Sequence, residues 1–380
     1  MRKTGLIMKR LRVLKKGKTE YLLLCLLCIV IAALLTTCGG AGSTPGSFTL
    51  VSGSGTVSVY LSGANTLDFS GKTFYFGTVS TGTPIGGEAT INSDNMILTL
   101  QDGGPIVFTG GLELEVGGFI DVNGNGSLFH MADNGDYVAG TTVTVSGNET
   151  VSLAYPDNFS AVSNSGTVSV TLLGANDDWG TKTFYFGTIS TGTAIGGEET
   201  ITSNEMSMDL PNSEVPITFT GGMELEVGGF IDVDGDAATS GTYAPDDGDY
   251  VAGTTVTVTG DSGCTLTYPG DFTVVSGSGI VSVNLKNALS SHSGKEYFYG
   301  TTSTGTPIGG QQTINSDSML MTLNNGGPDY VFAGGTDLTV GGFIDVNGNG
   351  ADFGMPDDGD YVASQPVTVA GDTVVTFTYE

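Results

Sequence analysis

Basic residues are nearly absent from most of this chain. Eight of its 12 lysines and arginines fall within the first 18 residues, and after residue 37 four lysines face 39 acidic residues. Nucleic acids and anionic lipid surfaces are bound through clustered lysine and arginine, so the region after residue 37 is unsuited to either partner. Its formal charge of −35 favours cations, although simple solubility or a salty habitat would also account for it.

Residues that carry much of catalytic chemistry are scarce as well. The chain has two histidines, His130 and His292, and one tryptophan, Trp179. We expect the histidines to lie in surface loops and Trp179 to pack at an edge rather than stack on a sugar. Nucleophile elbows, zinc spacings and phosphate loops are missing. Carboxylates are plentiful, so composition does not exclude a hydrolase with a carboxylate pair. These acids recur three times at loop tips, however, and we predict that the protein is not an enzyme.

The four cysteines do not pair within a domain. Cys25 and Cys28 lie in an apolar run, 21–35, that follows the basic N-terminus, Cys38 comes three residues after it, and only Cys264 remains. The apolar run is shorter than the roughly 20 residues of a membrane span. Its length and basic leader are typical of a secretory signal, so the rest of the chain is predicted to leave the cytoplasm.

The run Leu35-Thr36-Thr37-Cys38 resembles the lipobox of bacterial lipoproteins. The resemblance implies a signal peptide at 1–37 and a lipid on Cys38, although Thr37 departs from the usual Gly, Ala or Ser. An uncleaved anchor and ordinary signal cleavage nearby are the alternatives. Because Gly39 and Gly40 lack an inner-membrane retention Asp, the resemblance implies the outer membrane or cell surface if the organism is Gram-negative. Residues 38–46 would form a flexible tether.

The dominant feature of the chain is a threefold internal repeat. The sequence Gly117-Gly-Phe-Ile-Asp121 returns at 228–232 and again at 341–345, after 111 and then 113 residues. Each unit has the size of a domain, so this is not a solenoid of short repeats. We predict repeat 1 at 47–157, repeat 2 at 158–270 and repeat 3 at 271–380. Short proline-containing linkers, Tyr155-Pro156-Asp157 and Tyr268-Pro269-Gly270, predict a semi-rigid rod of three units.

Each repeat is patterned for β-structure. Val57, Val59 and Leu61 alternate with polar or smaller residues, and similar runs are separated by turn residues every eight to twelve positions. This alternation places the large apolar side chains on one buried face, and the spacing is that of a β-sandwich. The predicted fold class is all-β, with three tandem Ig-like or prealbumin-like antiparallel β-sandwich domains after the signal.

An acidic loop follows the repeated Gly-Gly-Phe-Ile-Asp motif. Side chains with oxygen atoms occupy loop positions 1, 3 and 5, and position 6 carries a turn glycine in repeats 1 and 3. This is the spacing of the first three Ca²⁺ ligands in an EF-hand loop. A downstream Asp-rich segment replaces the usual glutamate at position 12. We predict about one Ca²⁺ per repeat, bound by Asp121, Asn123, Asn125, Asp133 and Asp136 in repeat 1, by Asp232, Asp234, Asp236, Asp246 and Asp249 in repeat 2, and by Asp345, Asn347, Asn349, Asp357 and Asp360 in repeat 3.

A plain turn is the competing interpretation of this loop. Asn-Gly and Asp-Gly are strong hairpin signals, and a turn alone would explain a single copy. It explains less well why three copies keep oxygen side chains at the same positions. Repeat 2 carries more charge but has Ala237 at position 6. We therefore expect its site to be the weakest of the three.

The stretch Gly117-Gly-Phe-Ile-Asp-Val-Asn-Gly-Asn-Gly126, with Met355-Pro-Asp-Asp-Gly-Asp360, resembles bacterial extracellular repeats of the carboxypeptidase-regulatory-like (prealbumin-like) sandwich type. The resemblance implies a non-catalytic sandwich with a metal-stabilised loop. Together with the lipobox, it predicts a lipid-anchored, calcium-stabilised surface spacer or adhesive rod that is monomeric. A carbohydrate- or protein-binding surface module, with a glycan or surface-protein partner, is the alternative.

Overall fold

The computed structural model describes eleven stretches of the chain. The predicted signal peptide, Cys38 and most of the predicted tether lie outside them. Among the described residues, no helix has the length and apolar character needed to cross a membrane. The described stretches are 46–65, 69–78, 85–101, 104–126, 131–188, 195–210, 217–237, 244–301, 308–324, 329–350 and 355–380.

The described part of repeat 1 forms two facing sheets. The strands between residues 46 and 161, in chain order, are β1 (Thr49–Leu50), β2 (Gly55–Ser62), β3 (Thr73–Thr78), β4 (Gly86–Thr90), β5 (Asn95–Thr99), β6 (Val107–Phe108), β7 (Glu113–Asp121), β8 (Tyr137–Thr144), β9 (Glu149–Ala154) and β10 (Ser160–Ala161). Of these, β1 pairs with a strand of repeat 3, and β10 comes from the start of repeat 2. The larger sheet has the order β10-β8-β7-β3-β4. In the smaller sheet β2 pairs with β5, β6 and β9.

Repeats 2 and 3 have the same arrangement, except that in repeat 2 an isolated bridge between Gly166 and Phe219 takes the place of the pairing between β2 and β6. The described residues of each of these repeats also include a four-residue helix. The elements are β11 (Val168–Leu173), α1 (Asn176–Trp179), β12 (Thr183–Thr188), β13 (Gly196–Thr200), β14 (Glu205–Asp209), β15 (Glu224–Asp232), β16 (Tyr250–Thr257), β17 (Ser262–Thr267), β18 (Thr273–Val274), β19 (Gly279–Lys286), α2 (Leu289–His292), β20 (Glu296–Thr301), β21 (Gly309–Thr313), β22 (Ser318–Thr322), β23 (Val331–Phe332), β24 (Asp337–Asp345), β25 (Tyr361–Thr368) and β26 (Thr373–Thr378).

The apolar alternation determines which face of each strand is buried. In β2, Val57, Val59 and Leu61 are buried while the residues between them are partly exposed. Three large hydrophobic clusters result, one within each repeat. The predicted all-β sandwich class is confirmed. One detail differs from the purely antiparallel expectation: β2 and β9 pair in parallel, as do their counterparts in the other repeats, because the chain passes through the larger sheet between them.

The larger sheet is covered on its second face too. Phe74 and Phe76 stack in the core, as their shared face predicts. Tyr75 points the other way and stacks on Phe119 with ring centroids 4.8 Å apart. Both rings are buried with Val162, which belongs to the segment leading into repeat 2. That segment therefore packs on repeat 1 before the chain enters the sandwich of repeat 2.

The three repeats are joined in a closed ring. Strand β10, at the start of repeat 2, pairs with β8 of repeat 1, and β18, at the start of repeat 3, pairs with β16 of repeat 2. Strand β1 pairs in the same way with β25 of repeat 3, through Thr49 with Val362 and Leu50 with Tyr361. The predicted rod is therefore wrong. Its last repeat would have left the edge of β25 unpaired, and an unpaired sheet edge attracts another strand.

Packing across the joints supports the ring. Met355 of repeat 3 is buried in the core cluster of repeat 1. The buried Thr109 hydroxyl donates a hydrogen bond to the Pro356 carbonyl oxygen, and Thr220 donates to the Ala132 carbonyl oxygen across the joint between repeats 2 and 1 over 2.6 Å. Each repeat thus contacts both of the others, which three units in a row cannot do.

Candidate metal centres

Each acidic loop connects the central strand of a larger sheet to the next strand of that sheet. In repeat 1 the loop leaves β7 at Asp121 and returns at Asp136, directly before β8. Both carboxylates are almost fully buried, and so are their counterparts Asp232 and Asp249, and Asp345 and Asp360. The strands on either side thus fix two carboxylates per loop, as the spacing of the motif suggests.

The first carboxylate closes the turn. Asp121 accepts hydrogen bonds from the backbone N–H of Gly124 over 2.6 Å and of Gly126 over 3.0 Å. Asp345 does the same with Gly348 and Gly350, and Asp232 accepts from Gly235. These hydrogen bonds from backbone to side chain satisfy N–H groups that have no partner strand once the β-strand has ended.

The second buried carboxylate connects the two halves of the loop. Asp136 accepts the backbone N–H of Val122 over 2.9 Å and that of Asp133 over 3.0 Å. Asp249 and Asp360 repeat this pattern. Burial raises the pKa of Asp360 to about 6, and it raises the pKa of Asp136 and Asp249 as well. Burial makes the charged form of these carboxylates unfavourable, and a bound cation would offset that cost.

The sharp turn lies at loop position 4 and not at position 6. Gly124, Gly235 and Gly348 have φ angles of +85°, +87° and +85°, a region that only glycine enters without strain. The position-6 residues are not in that region, and Ala237 is accommodated there with its side chain buried. The expectation that repeat 2 has the poorer turn is therefore wrong.

In repeats 1 and 3 the loop is closed by asparagine amides. Asn123 and Asn125 donate from their Nδ2 atoms to the two carboxylate oxygens of Asp133, over 2.6 and 2.5 Å. Asn347 and Asn349 form the same pair of bonds with Asp357. The structure thus brings together the predicted side chains at positions 3, 5 and 13. The same bonds also satisfy the loop internally, which keeps the turn-only interpretation open for these two repeats.

Repeat 2 differs because both asparagines are aspartates. Ligand atoms of Asp232, Asp234 and Asp236 lie within 4.8 Å of one another, and so do those of Asp234, Asp246 and Asp249. An amide donor between the carboxylates is lost, so like charges face each other. Burial, followed by the charges of Asp236 and Asp234, raises the pKa of Asp246 to about 6. Of the three loops, this one would gain most from a bound cation, because the cation would relieve the repulsion among its aspartates.

Lysines contact two of the loops. The Nζ of Lys72 donates to the carbonyl oxygen of Val122 over 2.6 Å, and that of Lys295 donates to the carbonyl oxygen of Val346 over 2.5 Å. Val122 and Val346 occupy loop position 2. The contacts place a positive charge beside a loop that is otherwise acidic, on the side of the backbone carbonyl.

Each loop also binds the segment that leads into another repeat, which the sequence interpretation missed. Asp136 accepts the N–H of Val162 with its backbone carbonyl, and Asn134 accepts the N–H of Ser165 with its side chain, both within 2.9 Å. Asp247 accepts in the same way from Ser278, and Asp358 from Ser54. A signal was present in the sequence: Phe-x-x-Val-Ser-x-Ser occurs at 48–54, 159–165 and 272–278.

The rare aromatic residues turn out to be structural. Trp179 packs against Tyr250 and Tyr268, as the edge-packing expectation proposed. His292 occupies the corresponding place in repeat 3, where it is buried against Tyr361 and Tyr379. The prediction that His292 is a surface loop residue is therefore wrong. Its imidazole ring fills the place that the Trp179 side chain fills in repeat 2. His130 lies outside the described residues.

No family model matches the chain, and no curated protein matches it. Solved structures with weak similarity include the TIE protein of Bacillus anthracis, with 10% identity and a TM-score of 0.18, over 86% of this chain and 50% of that one. A candidate cell adhesion protein from Bacteroides ovatus has 11% identity and a TM-score of 0.17, over 59% and 95%. A streptococcal ancillary pilin has 9% identity and a TM-score of 0.18, over 86% and 98%.

The chain spans about half the length of the Bacillus anthracis protein. TM-scores this low carry no argument about the function of the chain. The sandwich implied by the carboxypeptidase-regulatory-like resemblance is confirmed by the strands themselves, whereas membership of that family stays a prediction.

Proposed function

We propose that this protein is an exported, lipid-anchored surface module whose three acidic loops bind Ca²⁺ and thereby stabilise a closed ring of β-sandwiches. The observation that carries the calcium proposal is the carboxylates of repeat 2, which form two groups that share Asp234. The ligand atoms of Asp232, Asp234 and Asp236 lie within 4.8 Å of one another, and so do those of Asp234, Asp246 and Asp249. Ca²⁺ takes six to eight oxygen ligands. Five carboxylates with no amide donor between them provide such a set.

Repeats 1 and 3 would bind the ion more weakly. A cation there requires the Asn123 and Asn125 amides to turn, so that oxygen replaces nitrogen and the bonds to Asp133 are given up. Asparagine oxygen is a good Ca²⁺ ligand but a neutral one. We therefore expect repeat 2 to have the highest affinity, in contrast to the order expected from its position-6 alanine.

The surface role is supported by the predicted leader, by Cys38 in its lipobox-like run and by the acidic composition. The closed ring changes the kind of surface protein that this would be. A ring is compact and holds its three loops in fixed relation, so we propose a short display or adhesive unit rather than a long spacer. A glycan- or protein-binding role is the second candidate, although Trp179 packs on two tyrosines and is partly buried.

Thermal unfolding with calcium or a chelator tests the calcium proposal. A ligand that binds only the folded state stabilises it by about 1.4 kcal/mol at ten times its Kd, so calcium should raise the Tm and EGTA should lower it. The matched control is the double variant Asp234→Asn, Asp236→Asn, which restores the amide pattern of the other repeats at positions 3 and 5 and keeps Asp232, the carboxylate that closes the turn. It should lose the largest part of the shift. An unchanged Tm in calcium and in chelator would refute the proposal.

A further inference from the structure

One seven-residue pattern docks at all three joints of the ring. We call residues 48–54, with the sequence Phe-Thr-Leu-Val-Ser-Gly-Ser, the clasp. Segments 159–165 and 272–278 are its counterparts, and they enter the same contacts with repeats 1 and 2 that the clasp makes with repeat 3. The docking site on repeat 3, which we call the slot, consists of the edge of β25, the turn Asp357–Asp360 and the side chains of repeat 3 that contact Phe48 and Val51.

The clasp is held by both backbone and side-chain contacts. The Val51 N–H donates to the Asp360 carbonyl oxygen over 2.9 Å, and the Val51 carbonyl accepts from the Gly359 N–H over 3.2 Å. The Ser54 N–H donates to the Asp358 carboxylate over 2.7 Å. These bonds fix the register of the clasp, since they involve three consecutive residues of the turn.

Two apolar side chains of the clasp enter pockets of the slot. Val51 is buried in a cluster with Phe298, Phe343 and Val362. Phe48 contacts the rings of Tyr297, Phe377 and Tyr379, with centroid separations of 6.3, 6.4 and 5.9 Å. Leu50, between them, is 54% exposed. The slot therefore recognises a phenylalanine and a valine three positions apart on an extended segment.

The clasp differs from its two counterparts in how it is attached. The turns at Tyr155–Asn158 and Tyr268–Asp271 connect those segments directly to the repeat on which they dock. The clasp has no such peptide connection to repeat 3. Tyr379 is the counterpart of Tyr155, and a bridge between Ser47 and Thr378, with a hydrogen bond from the Thr378 N–H to the Gly46 carbonyl, takes the place of the turn.

We propose that the slot is an exchangeable peptide-binding site for Phe-x-x-Val-Ser-x-Ser, occupied by the chain's own clasp in the closed ring and by the clasp of a second copy when the ring opens. The hinge for this exchange would lie where the clasp meets β2, at Gly53, which has a φ of +80°, and Gly55. Exchange gives a dimer in which each copy lends its clasp to the other, a form of domain swapping.

The closed ring is favoured in dilute solution. The clasp is tethered to its own slot through the rest of the molecule, and short connections give effective concentrations of the order of millimolar. Contacts such as Thr109 with Pro356 add to this preference. Exchange is therefore expected at high local concentration, such as that of anchored copies crowded on one membrane.

A labelled peptide of residues 46–54 tests recognition by the slot. The receptor is the full chain without its predicted leader, carrying Phe48→Ser and Val51→Ser so that its slot is open. We expect saturable one-to-one binding, and at least a roughly tenfold weaker signal for the unsubstituted chain, whose own clasp competes. A peptide carrying Phe48→Ser and Val51→Ser should bind on the order of a hundredfold more weakly, because it loses the buried Val51 side chain and the partly buried Phe48 ring. Equal binding of the two peptides, or no binding of either, would overturn the proposal.

Disulfide trapping tests exchange with chains whose clasp and slot are otherwise intact. Thr49 and Val362 are paired across the joint. A Thr49→Cys chain mixed with a Val362→Cys chain, both beginning after Cys38 and both with Cys264→Ser, should form a linked heterodimer on slow oxidation. Val138→Cys is the matched control, since Val138 pairs with the covalently attached Ser160. Heterodimers with Val362→Cys alone support exchange. No heterodimer, or equal amounts with both partners, would overturn it, and a single chain carrying Thr49→Cys and Val362→Cys reports closure of the ring separately.

Discussion

The backbone N–H of Val51 donates a hydrogen bond of 2.9 Å to the carbonyl oxygen of Asp360. Val51 lies near the start of the described chain, and Asp360 is one of the residues predicted to bind calcium in repeat 3. One residue thus contributes a side chain to a candidate metal loop and a carbonyl to the contact that closes the ring. Asp136 and Asp249 have the same double role toward Val162 and Val275.

The buried side chain of the clasp should matter more to stability than its exposed neighbour. Val51→Ala is expected to lower the free energy of unfolding by about 1–3 kcal/mol, because it leaves a cavity among Phe298 and Phe343. Leu50→Ala, one residue away and 54% exposed, should change it by less than about 0.5 kcal/mol. Urea unfolding of both variants checks this. Equal effects would mean that the clasp is not docked in solution.

Backbone strain at loop position 4 should separate two substitutions of the same glycine. Gly124 has a φ of +85°, and no atom lies within 4 Å of a Cβ placed there. Gly124→Ala should therefore cost about 1 kcal/mol from backbone conformation alone, whereas Gly124→Asn should cost less, since asparagine tolerates this region. Thermal melts of the two variants at one calcium concentration give the comparison. If alanine proves as stable as glycine, the turn does not have this conformation.

Much of the fold follows from the sequence. Alternating apolar residues such as Val57, Val59 and Leu61 predict both the strands and their buried faces. Successive side chains of a strand point to opposite faces, so every second residue must lie on the buried face. The ring could not be read from periodicity, since it depends on pairing between segments at opposite ends of the chain. The side chains predicted to bind calcium are close in sequence, so their convergence was predictable. The roles of Gly124 and Ala237 were not, because the residue that bears the positive φ depends on how Asp121 bonds to the loop.

His292, which occupies the place of the Trp179 side chain in repeat 3, should make the stability of the protein depend on pH. Burial, followed by the charge of Lys295, lowers the pKa of His292. The unfolded chain then binds a proton more readily than the folded one, so stability is full above about pH 6.5 and is lost as the pH falls below it. His292→Phe, which copies Phe69 of repeat 1, should reduce this loss while keeping the contacts with Tyr361 and Tyr379. Thermal melts from pH 8 to pH 5 should show that the difference in Tm between the variant and the parent protein grows as the pH falls. A difference in Tm that does not change with pH would contradict this explanation.

Calorimetric titration of the mature chain with calcium tests the proposed function most directly. Sites on extracellular modules have Kd values of roughly 10⁻⁴–10⁻³ M, within reach of such a titration. The predicted result is about three ions per chain. Replacing Asp234 and Asp236 with asparagine should weaken the tightest site to the affinity of the other two, and magnesium should compete poorly because it demands a smaller, more rigid shell. No heat of binding at millimolar calcium, in a chain that is folded by circular dichroism, would show that the loops are turns and not metal centres.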